Sequence, residues 1–159
     1  MIRRLEQRDR SDLIEVINSI EIFKPEEKIT AIELIDAALE NKEKDEYSYS
    51  IFIYEYDNKA VGYHCVGKRY MTEGTFDLYW IVIDTKHQSK GIGKKLLRHA
   101  EEFVLERKGF LILAETSSQP GYEGTRKFYL KNNYEVLAEI KNFYKVNDNL
   151  IIFGKYLTK

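Results

Sequence analysis

Residues 75–106 read TFDLYWIVIDTKHQSKGIGKKLLRHAEEFVLE, and the rest of the chain is arranged around them. Phe76–Ile83 is dense in aromatic and β-branched residues, which suits a buried strand. Ile92, Leu96, Leu97, Ala100, Phe103 and Val104 then recur at helical spacing, with Lys95, Glu102 and Glu106 off that stripe. Between the two lies Gln88-Ser89-Lys90-Gly91-Ile92-Gly93, a glycine-rich turn inside which the helix begins. Gly91 and Gly93 carry no side chain where the backbone must bend sharply or let a ligand come close. The first turn of a helix holds unpaired N–H groups and a partial positive charge, so this corner suits an anion.

Lys90, Lys94, Lys95 and Arg98 crowd the same corner. Cations at a helix start oppose the dipole at about 0.3–1 kcal/mol each, and a bound phosphate would reverse that cost. Four solvated cations on an exposed face account for the charges alone; the two glycines and the apolar strand before them favour a phosphate site. A P-loop would need G-x-x-x-x-G-K-[ST], which is absent, and the dinucleotide fingerprint would need glycine where Leu96 stands. What is left is Q-x-x-G-x-G after a strand ending Ile81-Val82-Ile83-Asp84. In that context the loop resembles the coenzyme A pyrophosphate loop of the GNAT superfamily of acyl-CoA N-acyltransferases. A second segment, RKFYLKNNY at 126–134, resembles that family's F-Y-x-x-x-G-[FY]. The core of the resemblance runs from Tyr63 to Val136 at least.

The chain as a whole is compatible with one domain over residues 1–159. Hydrophobic residues make up 43% and charged residues 32%, with a net charge of −1, which gives no general drive toward nucleic acid or anionic membrane. The single cysteine, Cys65, cannot close an internal disulfide and reads as a small buried residue. MIRRLEQRDR lacks an apolar signal region and no apolar run is long enough to span a bilayer, so a cytoplasmic location is expected. One cysteine and three separated histidines, His64, His87 and His99, form no metal-ligand set, and His87 and His99 read as exposed.

Met1–Glu6 reads as a first strand, followed by a helix capped by Asp9 or Ser11 and carrying Leu13, Ile14, Ile17 and Ile20. Pro25 opens a second helix, with Ile29, Ile32, Ile35 and Leu39 on its apolar stripe, running to about Asn41. Residues 41–46 read as a solvated connection. Ser50–Tyr56 and Ala60–Gly67 form a hairpin about Asp57-Asn58-Lys59, and Thr75–Ile83 is the central strand. Gly109 ends the long helix, and Phe110–Ala114 reads as a strand buried on both faces, joined to the central one by a parallel crossover. A helix over 122–131 ends at Asn132-Asn133, where asparagine can take a left-handed cap. Tyr134–Ile140 alternates with Val136, Ala138 and Ile140 inward, and Leu150–Leu157 follows across a turn at 146–149. The resemblance implies an α+β fold of α/β/α layers: a mostly antiparallel seven-stranded sheet, a splayed parallel central pair and about four helices.

It also implies a reaction: direct acetyl transfer from acetyl-CoA to a primary amine of a small molecule or peptide, without a metal. The backbone of Ile81, Val82 and Ile83 maps onto the family's pantetheine contacts. Gln88, Ser89, Lys90, Gly91, Ile92, Gly93 and Lys94 map onto the pyrophosphate cradle. Tyr129 stands at the family's tyrosine position as the acid for the departing thiolate and as a cofactor contact. For the base, Asp77 stands inside an apolar strand, where an acid is unusual without a task or partner. Glu115, at the end of the next strand, is the second candidate, and a loop or capping acid is its plainer account; His64 is the third. The family's asparagine before the tyrosine helix falls at Gly121 or Tyr122, so Ser117 or Ser118 is expected to take its contact, and Thr125 stands where a small residue is usual. Glu26, Glu27, Glu73 and Asp77 are candidates for a mouth that attracts a cationic amine. A coenzyme-binding sensor without transfer is the alternative reading, and a homodimer is a possible assembly.

Overall fold

A computed structural model describes residues 1–41 and 45–158. Seven strands join in one sheet, in the order β1-β2-β3-β4-β5-β7-β6. They are β1 Ile2–Arg4, β2 Ser50–Tyr56, β3 Lys59–Lys68, β4 Thr75–Ile83, β5 Leu111–Ser117, β6 Glu135–Lys145 and β7 Asp148–Tyr156. The helices are α1 Arg10–Ser19, α2 Pro25–Asn41, α3 Ile92–Glu106 and α4 Glu123–Lys131. Only β4 and β5 run parallel, joined through α3; every other pair is antiparallel.

Helices cover both faces of the sheet. Leu97, Ala100, Phe103 and Val104 of α3 and Tyr129 of α4 pack with Phe76, Leu78, Ile112, Ala114 and Phe153. On the other face Leu13, Val16 and Ile17 of α1 and Ala31 and Ile35 of α2 pack with Ile51, Ile53, Tyr63, Cys65 and Val82. The apolar stripe on α3 is the one its spacing predicts, and all six of its residues are buried. Asp57 and Asn58 take φ of 48° and 61°, as a tight hairpin requires, and Asn133 takes the left-handed cap at 65°.

Several expectations are corrected. Asp9 stands at the N-cap of α1, as expected, but its side chain makes no capping bond, because its carboxylate is held by the Arg3 guanidinium at 2.8 Å through both oxygens; Ser11 lies inside the helix and Ile20 beyond it. Ile29 points to solvent. Gly109 is not the left-handed residue; Lys108 is, with φ 60°. Gly109 is small because a Cβ there would lie 2.4 Å from Val104 and 2.7 Å from Phe76. Leu111 and Leu113 of β5 are only half-buried. The inward face expected of Val136, Ala138 and Ile140 does not exist: all eleven residues of β6 are exposed, because β6 is the edge strand and contributes to neither face's core. β6 also runs on to Lys145, which shortens the turn to Val146-Asn147. Of the connection at 41–46, residues 42–44 lie outside the described residues, while Asp45 and Glu46 are exposed.

Two irregularities shape the centre of the sheet. Across β3, Cys65 faces Trp80 and Val66 faces Leu78, so Tyr79 is an extra residue on β4, a bulge. The bulge resets the alternation: Phe76 and Leu78 face α3, whereas Trp80 and Val82 face α1 and α2. The parallel pairing of β4 with β5 covers only Thr75–Asp77 against Leu111–Leu113. From there β4 stays with β3, and β5 stays with β7 along its whole length. The two halves of the sheet part beyond Asp77.

Candidate active site

A cavity of about 490 Å³ fills that parting. Its walls come from Tyr79, Trp80 and Ile81 of β4 and Glu115, Thr116 and Ser117 of β5. Tyr129 of α4 and Thr125, Tyr122 and Gly121 before it close one side; Phe23, Lys24 and Glu27 close another; Tyr144, Lys145 and Asp148 of the last hairpin complete it. Two helices, α2 and α4, and four strands, β4 to β7, thus meet at one opening, with Tyr79 of the bulge and Trp80 beside it both on the wall.

Tyr129 is 4% exposed and packs on Phe153, Tyr134 and Phe128 with ring centroids 5.4–5.5 Å away. Burial pushes its phenol well above the usual range, so the hydroxyl keeps its proton at neutral pH. Tyr79 is pushed up to about 12, chiefly by burial. Tyr122 donates to Glu27, 2.9 Å away, across 95 residues of sequence. That bond fastens the start of α2 to the approach of α4.

Asp77 and Glu115 share Arg69. The guanidinium meets Asp77 at 2.7–3.1 Å through three contacts and reaches Glu115 at 3.4 Å. The Asp77 carboxylate, 12% exposed, answers the anomaly of an acid in an apolar strand with a cation from the preceding turn. Only Glu115 of the two lines the cavity. Glu27 does so too, whereas Glu26, Glu73 and Asp77 do not. Arg69 is the residue that sequence reasoning missed. Its backbone N–H donates to Thr75 O across the turn at 71–74, so an acid at 77 on that hairpin was a signal for it.

His64 is fully buried, and its Nε2 meets Nδ1 of His99 at 3.0 Å. Burial pushes His64 down to about 3, with His99 adding to the effect, so it stays neutral. It sits behind α3, away from the cavity lining. The exposure expected of His99 and His87 is corrected: His99 is half-buried on His64, and His87 on Asp84 at 2.9 Å.

The glycine-rich turn stands at the far end of β4. Gln88 Nε2 donates to Ile83 O at 3.2 Å, which ties the loop to the strand end. Ser89 and Gly91 take left-handed φ of 63° and 77°, and nothing lies within 4 Å of where a Gly91 side chain would begin. The first bond of α3 runs from Lys95 N to Gly91 O at 3.2 Å, so the amides of Ile92, Gly93 and Lys94 precede it. Gly93 differs from Gly91: a Cβ there would press on Ile83 and Phe128 at 3.3 Å, so packing is what its smallness serves. Lys95 lies over the Tyr54 ring and Arg98 pairs with Glu102, while Lys90 and Lys94 are exposed. Ser117 and Ser118 are occupied internally: the first donates to Asp148 and accepts from Gln119 N, the second accepts from Asn149 N. Among the described residues no group of three metal-ligating side chains comes together, and no helix is long and apolar enough to cross a membrane.

Residues 13–134 match the model of the acetyltransferase (GNAT) family. A crystal structure from Desulfovibrio desulfuricans, of a protein assigned to the GNAT acetyltransferases, is 33% identical, covers 99% of both chains and has a TM-score of 0.94. An aminoglycoside 6'-acetyltransferase type Ii is 17% identical, with coverage of 100% of this chain and 98% of that one and a TM-score of 0.82. The Thermoplasma acidophilum PaiA N-acetyltransferase in complex with coenzyme A is 19% identical, covering 99% and 98%, with a TM-score of 0.76. These last two share the fold. Comparison with curated proteins gives no match.

Proposed function

This chain belongs to the GNAT acetyltransferase family, and we propose that it moves an acetyl group from acetyl-CoA directly to a primary amine of a small molecule or peptide. The observation that carries this reading is the parting of β4 from β5 beyond Asp77, with Tyr129 and Glu115 on the walls of the resulting cavity. The residues present fit the coenzyme. Gly91 leaves an open, left-handed corner before three helix-start amides, and Lys90 and Lys94 add exposed positive charge beside it. The edge of β4 at Ile81–Ile83 has no β5 partner and can offer backbone groups to an amide-bearing arm.

Each group then has a task. Gln88 holds the loop against Ile83, and the amides from Ser89 to Lys94 bind the diphosphate. Glu115 takes the proton that the amine must lose. Asp77 is the other base candidate, but its carboxylate is bound to Arg69; in this reading the Asp77–Arg69 pair steadies Glu115. Acetyl-CoA supplies an acetyl carbon activated as a thioester: the amine nitrogen forms the new C–N bond as the C–S bond breaks. Tyr129, which is protonated at neutral pH, donates its proton to the leaving sulfur. Thr125 and Tyr122 shape the wall on the acid's side.

The test is direct. The purified protein, given acetyl-CoA and a panel of primary amines, should release free thiol and yield the acetylated amine by mass spectrometry. Tight calorimetric binding of acetyl-CoA with no thiol release from any amine would leave a coenzyme-binding sensor instead. No binding of acetyl-CoA would overturn both.

A further inference from the structure

We infer that the acceptor carries two cationic groups, and that Asp148 and Glu27 hold the one that is not acetylated. This rests on reading the cavity between β4 and β5 as the acceptor site. Three carboxylates are buried among the described residues: Asp9, Asp77 and Asp148. Two of them have an arginine, Arg3 on Asp9 and Arg69 on Asp77. Asp148, 2% exposed, has none; its side-chain partner is the Ser117 hydroxyl. A buried carboxylate without a cation is costly, and Asp148 is the one of the three that lines the cavity.

Glu27, which is half-buried, likewise has no cation among the described residues. It accepts from the Tyr122 hydroxyl and from the backbone N–H of Lys24 at 2.8 Å, both neutral donors. Transfer needs one base, and Glu115 serves. Asp148 and Glu27 are then surplus negative charge, delivered to one cavity by the start of β7 and the first turn of α2. Lys24 and Lys145 also border the cavity, but both are exposed and neither pairs with these acids. An independent sign of a ligand is the Thr116 hydroxyl, 5% exposed on the same cavity and without a hydrogen-bond partner. Trp80, Tyr122 and Tyr144 on the same lining offer apolar surface to an alkyl chain and rings to its cationic ends. The chemical class that answers these features is an aliphatic diamine or a longer polyamine.

Calorimetry on the coenzyme A-loaded protein tests this without turnover. At low salt, 1,4-diaminobutane should bind about tenfold or more tighter than butylamine, and the ratio should shrink as salt is raised. Glu27→Gln and Asp148→Asn each keep an oxygen for the existing hydrogen bonds and remove only the charge. Each should bring the ratio to within about twofold, with the fold checked by thermal melting. If Asp148→Asn does not fold, Glu27→Gln and the salt series decide. Equal affinity for the two amines, no heat with either, or a ratio that both charge changes leave intact would overturn the inference. Acetylation of butylamine and tight acetyl-CoA binding alongside any of those results would leave the transfer reading standing.

Discussion

Tyr129 packs among Phe128, Tyr134 and Phe153, and burial keeps its phenol protonated at neutral pH, the form from which a proton donor must start. Tyr129→Phe keeps the ring packing and removes only the O–H. We expect kcat to fall about 100-fold while KM for acetyl-CoA changes less than about threefold, read by thiol release. His64 gives a second residue-scale expectation, on stability. Folded, its ring binds a proton only below about 3; unfolded, it does so below about 6.5. The unfolded chain therefore takes up the extra proton as pH falls, and the folded state loses stability. Between pH 6.5 and 5 the His64 share of the loss should be about 2 kcal/mol by urea unfolding, and His64→Leu should remove that share and leave that of His99, which burial also holds low. That window lies above the carboxylate range, so Asp9 and Asp84, held low, do not contribute to it.

Among the elements, α3 depends on what lies beyond each of its ends. At its close, Lys108 turns left-handed and Gly109 slips between Val104 and Phe76, both core residues. Gly109→Ala should overpack that junction at about 2 kcal/mol, seen as a melting temperature about 4–8 °C lower. The helix itself was fully legible, because its stripe has one period and one partner face. β6 was not. Val136, Ala138 and Ile140 alternate as a half-buried strand does, yet alternation cannot say whether a helix waits on the other side. Gly93 was read with Gly91 as one motif, though one serves packing and the other the open corner. The acid at Asp77 was legible as an anomaly, and its solution was a cation eight residues earlier on the other arm of a hairpin. Glu27 with Tyr122 and Asp148 with Ser117 were out of reach, since both pairs bridge distant segments that only the sheet order brings together.

For the molecule as a whole, three residue pairs are all that join β4 to β5. On one side of that seam stand β1 to β4, on the other β5 to β7. The sheet is therefore two panels on a short hinge, and along Leu78–Ile83 the amides that turn away from β3 have no strand to bond to. In the free protein these amides should swap their protons for deuterium within seconds, while their neighbours facing β3 stay slow. Addition of acetyl-CoA should slow them by an order of magnitude or more in a deuterium-uptake experiment read by mass spectrometry. Deuterium uptake there would thus report how firmly a guest stitches the two panels together.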